Sequence, residues 1–250
     1  MRNVVKSVMF GALGRLGCSA VKGFNGTDGF ALTFDDGPHP EFTPRLLDIL
    51  ARHSARATFF VLGRQAERYP RVIDCMFRGG HAICNHTYDH PSCLALSASE
   101  IEAQIRRTDT VLQARGQKLF RPPYGGWDLR VLLATRRAGH RLVGWSAESD
   151  DHTAISAEAM TRKLREMPLR GRVVLFHDRL ERYREAPALD RSATIAAVDT
   201  LLRQRNGRAM TVPELMATAE PIRETRLFPY SRRDLAANAR LLEELRTADV

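Results

Sequence analysis

The chain has 250 residues, 44% of them hydrophobic, which supplies one large core and excludes a chain that is disordered throughout. Its formal net charge is +9 and its pI about 9.9, but the basic residues are scattered, with no basic run interleaved with aromatics. Nucleic-acid binding is therefore not expected, and the charge reads as a solvated surface. The four cysteines, Cys18, Cys75, Cys84 and Cys93, form no Cys-x-x-Cys pair, which excludes a zinc ribbon.

At the N-terminus Val4, Val5, Val8, Met9, Ala12, Leu13 and Leu16 recur at near-helical spacing. The apolar run is too short to span a membrane, and Arg15 interrupts it where a signal peptide would stay apolar. Residues 1–28 are expected to form an amphipathic helix, packed on the body or lying on an anionic membrane surface. The expected location is cytoplasmic, with the inner membrane face as the peripheral option.

From Gly29 strand and helix signals alternate. Phe30–Phe34 is an apolar run stopped by Gly37-Pro38 and predicts a buried strand. Helix is predicted from Thr43-Pro44 to about Arg52, strand over Ala57–Leu62, and helix from about Arg64 to Arg78, closed by Gly79-Gly80. A strand over His81–Cys84 places Cys84 in the core. Ser97 and Glu100 form a capping-box signal for the next helix, which carries Ile101, Ile105, Thr108, Val111 and Leu112 on one face. A strand at Leu119–Arg121, a helix over Leu129–Ala138, a strand over His140–Trp145 and a helix over Ile155–Met167 follow. The chain then gives a strongly apolar strand at Arg172–Phe176, a helix over Ser192–Gln204 and a short strand at Ala209–Val212. The alternation predicts an α/β protein with a parallel sheet, closed or open. Residues 29–220 form the expected domain, and 221–250 a basic, partly helical tail with a polar helix near Arg232–Leu245.

Polar residues that can carry chemistry stand at the predicted strand ends, where barrels of parallel strands place their functional groups. Asp35 and Asp36 follow the first strand; neighbours there point to opposite faces, so they need not share one job. His86 and His90 are four apart, and on a helical turn they would share a face. Two imidazoles and a carboxylate are a mixed donor set for a divalent metal, with positions left open. Arg121, Tyr124, the acidic cluster Glu148, Asp150 and Asp151, and His177-Asp178 also end strands. Taken singly, each of these has a structural explanation as a surface cation, turn aromatic or helix cap.

Thr33-Phe34-Asp35-Asp36-Gly37-Pro38, His86-Thr87-Tyr88-Asp89-His90-Pro91, Arg121-Pro122-Pro123-Tyr124-Gly125 and Leu175-Phe176-His177-Asp178 together resemble the motif set of polysaccharide deacetylases, carbohydrate esterase family four. The resemblance covers about Gly29 to Glu214, with the motifs in the family's order. It implies a distorted (β/α) barrel of about seven parallel strands. It also implies metal-dependent removal of an acetyl group, usually the N-acetyl of an amino sugar. By resemblance Asp36, His86 and His90 would hold one divalent ion, zinc first, with cobalt or nickel as alternatives. Asp35 would be the general base, Arg121 its holder, and His177 the general acid. Tyr124 would offer its backbone N–H to the oxyanion, while Pro123, Trp145 and Leu175 would contact the substrate. The family often has Asp-Trp after the fifth strand. Here Asp151 aligns with that Asp as partner of His177, with Asp150 as its rival, and His152 stands where the Trp would be.

The expected function is hydrolysis of an N-acetyl group on an amino sugar in an oligosaccharide, polysaccharide or glycolipid precursor. Two alternatives are an amidohydrolase on a non-sugar small molecule, and a non-catalytic carbohydrate-binding module on the same fold.

Overall fold

The computed structural model describes residues 19–153, 155–181, 190–204 and 207–224. In chain order its elements are β1 (Ala20–Asn25), β2 (Ala31–Asp35), α1 (Phe42–Arg52), β3 (Thr58–Val61), α2 (Gly63–Arg68), α3 (Pro70–Arg78), β4 (Ala82–Asn85), α4 (Ala98–Leu112), β5 (Gly116–Phe120), α5 (Leu129–Arg137), β6 (Arg141–Leu142), β7 (Ala147–Glu148), α6 (Ala157–Arg165), β8 (Val173–His177), α7 (Ser192–Gln204), α8 (Val212–Thr218) and β9 (Glu220–Glu224). The predicted N-terminal helix and the helix near Arg232–Leu245 lie outside the described residues.

Seven strands make one parallel sheet in the order β6-β5-β4-β3-β2-β8-β7, curled into a partial barrel. The strands are apolar without clean alternation because both faces are covered. Leu32 and Phe34 of β2 point outward, and the Phe34 ring stacks on Phe59 (5.2 Å) and Phe176 (5.6 Å). That layer is roofed by Leu46 and Leu50 of α1, Met76 of α3 and Val198 of α7. The inward face carries Phe60, Cys84, Leu119 and Val173, packed with Val21 and Phe24 of β1 and Val212 and Leu215 of α8. Cys84 is fully buried there, as expected of a core strand residue.

β1 lies across the open side of the curl. Val21 bridges to Val143 beyond β6, and Gly23 to Arg172 ahead of β8. Its antiparallel partner is β9. This pair is absent from the sequence expectations, and it draws in residues from both sides of the 29–220 span.

Three further expectations are corrected. The helix over Arg64–Arg78 is two helices, α2 and α3. Pro70 lacks an N–H and disfavours helical backbone at the residue before it, and Tyr69 breaks the run at φ −126° and ψ 56°. The strand at Ala209–Val212 is a single bridge from Ala209 to Phe30; Thr211 and Glu214 then form a capping box that starts α8. The strand over His140–Trp145 shrinks to β6. Asp35, Asn85, Phe120, Glu148 and His177 end β2, β4, β5, β7 and β8, so the chain's reactive groups gather on one rim.

Candidate active site

Asp36 stands one residue past β2 with φ +71°, a left-handed conformation that Asp tolerates better than most residues. The turn sends consecutive carboxylates apart. Asp35 enters the barrel, while Asp36 Oδ1 lies 3.3 Å from His86 Nε2 and 3.1 Å from His90 Nε2. Their donor atoms all lie within 4.8 Å of one another, and all three residues are buried. The two histidines do not share a helical turn, contrary to expectation. They sit on an irregular loop in which Thr87 (φ +74°) and His90 (φ +64°) are both left-handed. Side chains hold this loop: Asn85 Oδ1 accepts the Thr87 N–H at 2.9 Å, and Thr87 Oγ1 accepts the His90 N–H at 3.1 Å.

Proton placement shows what this cluster fits. His86 Nδ1 donates to Arg121 O at 2.7 Å, which assigns its proton to Nδ1 and turns the Nε2 lone pair toward Asp36. Burial pushes the His90 pKa below its ordinary value, favouring the neutral ring. Burial also raises the Asp36 pKa, but His90, His86 and His177 outweigh it and hold the carboxyl well below the usual range. Asp36 Oδ2 accepts the Glu181 N–H at 2.9 Å, whereas buried Oδ1 has no hydrogen-bond donor among the described residues. The nearest polar atoms to Oδ1 are thus the two ring nitrogens, both turned toward it. An anionic oxygen and two imidazoles placed in this way fit one divalent cation.

Asp35 takes a separate environment. Its Oδ1 accepts from Arg121 Nη1 at 2.7 Å, and Arg121 also donates to Thr33 Oγ1 (2.8 Å) and Gly144 O (2.9 Å). Arg121 is 0% exposed, its guanidinium 4.1 Å from the Phe60 ring centre and 5.6 Å from that of Trp145, so it is no surface cation. The other Asp35 oxygen, Oδ2, lies 3.9 Å from His86 Nε2, beside the donor cluster.

His177 ends β8 directly opposite Asp35 in the strand register. Its Nδ1 lies 2.8 Å from Asp151 Oδ1, and its backbone N–H donates to Asp151 Oδ2 at 2.7 Å. Arg191 and Thr194 anchor Asp151 from behind. Burial alone would lower the His177 pKa, but Asp151, with help from Asp36 and Asp35, pushes it up to about 9. Asp150 turns away with φ +59° and pairs with Lys163, so Asp151 is the partner.

The rim is completed by Tyr124, 44% exposed and edge-on to His90 at 4.8 Å between ring centres. A Cβ on Gly125 would lie 2.3 Å from the Trp145 ring, so glycine is required for the turn to close against Trp145. Pro123 is buried in that turn, and Leu175 is buried one strand position before Phe176. His152 stands with its ring centre 6.1 Å from that of His177. All eleven site residues expected from the sequence lie at this rim or just beneath it. Thr33, Asn85 and Glu181, which also hold this site, carry no role in the sequence expectations. Asn85 had one signal, a polar residue ending an apolar strand just ahead of His86; the role of Glu181 runs through its backbone and left none.

A curled parallel sheet with a buried Asp-His-His cluster, a carboxylate held by arginine and a paired histidine on one rim defines an α/β hydrolytic enzyme. The chain belongs to the polysaccharide deacetylase family, whose model matches residues 24–143. That stretch holds Asp35, Asp36, His86, His90, Arg121 and Tyr124, and stops short of Asp151 and His177. A peptidoglycan-N-acetylglucosamine deacetylase of Bacillus cereus is 33% identical over 196 residues, spanning 76% of this chain and 69% of the relative. A chitooligosaccharide deacetylase of Azorhizobium caulinodans is 40% identical over 151 residues, 59% of this chain and 72% of the relative. The crystal structure of a peptidoglycan N-acetylglucosamine deacetylase in complex with a naphthalenyl N-oxidanyl-benzamide aligns with a TM-score of 0.71 at 33% identity. That alignment covers 80% of this chain and 94% of the other.

Proposed function

We propose that the chain removes the N-acetyl group from an amino sugar in an oligosaccharide, polysaccharide or glycolipid precursor, using a divalent ion held by Asp36, His86 and His90. Zinc suits two imidazoles and a carboxylate best, with cobalt and nickel as substitutes. The observation that carries the reading is the convergence of those three buried donors beside Asp35. Its relatives' names point to the sugar.

A bound divalent ion would acidify water and polarise the amide carbonyl. Asp35 Oδ2 accepts the proton of the attacking water; Arg121 on Oδ1 holds the carboxylate aimed. The Tyr124 N–H donates to the developing oxyanion, an effect worth roughly 3–4 kcal/mol in other enzymes. An amine is a poor leaving group, so His177 delivers a proton to its nitrogen, and Asp151 stabilises the charged imidazole between turnovers. Retention of both pairs, Asp35–Arg121 and His177–Asp151, favours an enzyme over a binding module.

The test is acetate release from N-acetylated chitooligosaccharides and glycolipid precursors, by the metal-loaded protein and by Asp35→Asn. Release by the wild type and its loss in the variant supports the reading. Turnover of another amide without acetate from any sugar would move the function off carbohydrates.

A further inference from the structure

The cluster's three donors come from two loops distant in sequence, and the structure shows what joins those loops. Gly63 and Arg64 open α2, and their backbone N–H groups donate to Thr87 O (3.0 Å) and Tyr88 O (3.2 Å), carbonyls that lie between His86 and His90. The Arg64 guanidinium meets Glu181 Oε1, and Arg179 donates to Oε2 of the same carboxylate. Glu181 in turn gives its backbone N–H to Asp36 Oδ2 at 2.9 Å. One ion pair thus connects the histidine loop to the aspartate.

Several features set this pair apart from an ordinary surface contact. The Arg64 side chain is 38% exposed, but that of Glu181 is 15% exposed and that of Arg179 19%, so the carboxylate itself is largely withdrawn from water and each of its oxygens has its own guanidinium. Charge-assisted contacts in such surroundings are stronger than solvated ones. The N–H on Oδ2 also fixes the rotation of the Asp36 carboxylate and leaves Oδ1 facing both imidazoles. Were the 178–181 segment to drift, that carboxylate would lose the contact that sets its angle.

We infer that Arg64 and Glu181 are positioning residues for the metal ligands, a clasp that sets the spacing between Asp36 and the His86–His90 loop. The inference rests on the reading that these three residues hold a divalent ion. Outer contacts of this kind change metal affinity by about 10–100-fold when removed.

The test uses the full chain and cobalt(II). Affinity is measured by competition with a chromophoric chelator, and coordination geometry by the visible absorption of the bound ion. Arg64→Met and Glu181→Ala should each weaken cobalt by about 10–100-fold and alter its visible bands. Arg64→Lys should recover part of the loss. The double variant should be no weaker than the worse single, because both changes break one link. Unfolding midpoints of the metal-free variants, read by circular dichroism, should stay near the wild type, which separates ligand positioning from a folding defect. Unchanged affinity and spectrum, or single losses that simply add, would overturn the clasp. A His86→Ala protein that kept full cobalt affinity would instead remove the metal reading beneath it.

Discussion

Aspartate meets histidine at two places on this rim, and the two meetings have opposite chemistry. Past β2, Asp36 faces His86 and His90 through their Nε2 atoms; at the end of β8, Asp151 faces His177 through Nδ1. His86 Nδ1 is already committed to Arg121 O, which turns its Nε2 toward the carboxylate. His177 makes its Nδ1 bond to the carboxylate itself, which stabilises a second proton on Nε2 and raises the pKa to about 9. Burial is shared by both places and does not separate them: His90 is driven toward the neutral form and His177 toward the charged one. Which ring nitrogen a backbone or carboxylate acceptor takes decides between a cation site and a proton carrier.

The largest break in that contrast is removal of a donor. His86→Ala or Asp36→Ala is expected to abolish stoichiometric metal, read as metal content after dialysis, while leaving the His177–Asp151 pair intact. Next comes Asp35→Asn, which should keep the metal and lower kcat by about 10²–10⁴-fold, the usual contribution of a general base. Loss of metal in that variant would merge Asp35 with the donor set. The third effect is a displacement along the pH axis. A general acid must be protonated, so kcat/KM should fall as pH rises through the His177 pKa near 9. In Asp151→Asn that alkaline limb should move down toward the ordinary imidazole value of about 6.5. A limb that stays near 9 would assign it to another group.

How much of this was legible in the sequence differs between scaffold and site. Apolar runs fixed β2, β3 and β8 because strands covered on both faces need them, and the Ser97–Glu100 capping box marked the start of α4 within a residue. β1 and β9 were invisible. Ala20–Asn25 carries a lysine and a glycine, Glu220–Glu224 is mostly polar, and partners so far apart in sequence leave no local pattern. The site residues were readable because their side chains are chemically distinctive and stand at strand ends. Their geometry was not: the His86–His90 spacing suggested a helical turn, whereas two left-handed residues and the Asn85 amide aim the rings. The Glu181 contact to Asp36 runs through a backbone N–H, which any residue but proline could supply.

Another buried imidazole sharpens the contrast with the smallest effect. His81, just ahead of β4, has no carboxylate as its Nδ1 partner; that atom accepts the Ala57 N–H at 3.2 Å, while the ring stands edge-on to Phe59. Burial, with Arg56 adding to it, pushes its pKa down to about 4. A folded value below the unfolded one means that the unfolded chain takes up the proton first as pH falls. Stability from this residue is therefore complete above about 6.5 and is lost on the way down to about 4, at most about 3 kcal/mol in all. Thermal unfolding at pH 7 and pH 4.5 measures the loss. His81→Asn keeps an acceptor for the Ala57 N–H and does not titrate, so its midpoint should drop less between those pH values than the wild type's. Parallel drops in the two proteins would mean that the acid sensitivity lies elsewhere, and that the Ala57 contact does not keep His81 neutral.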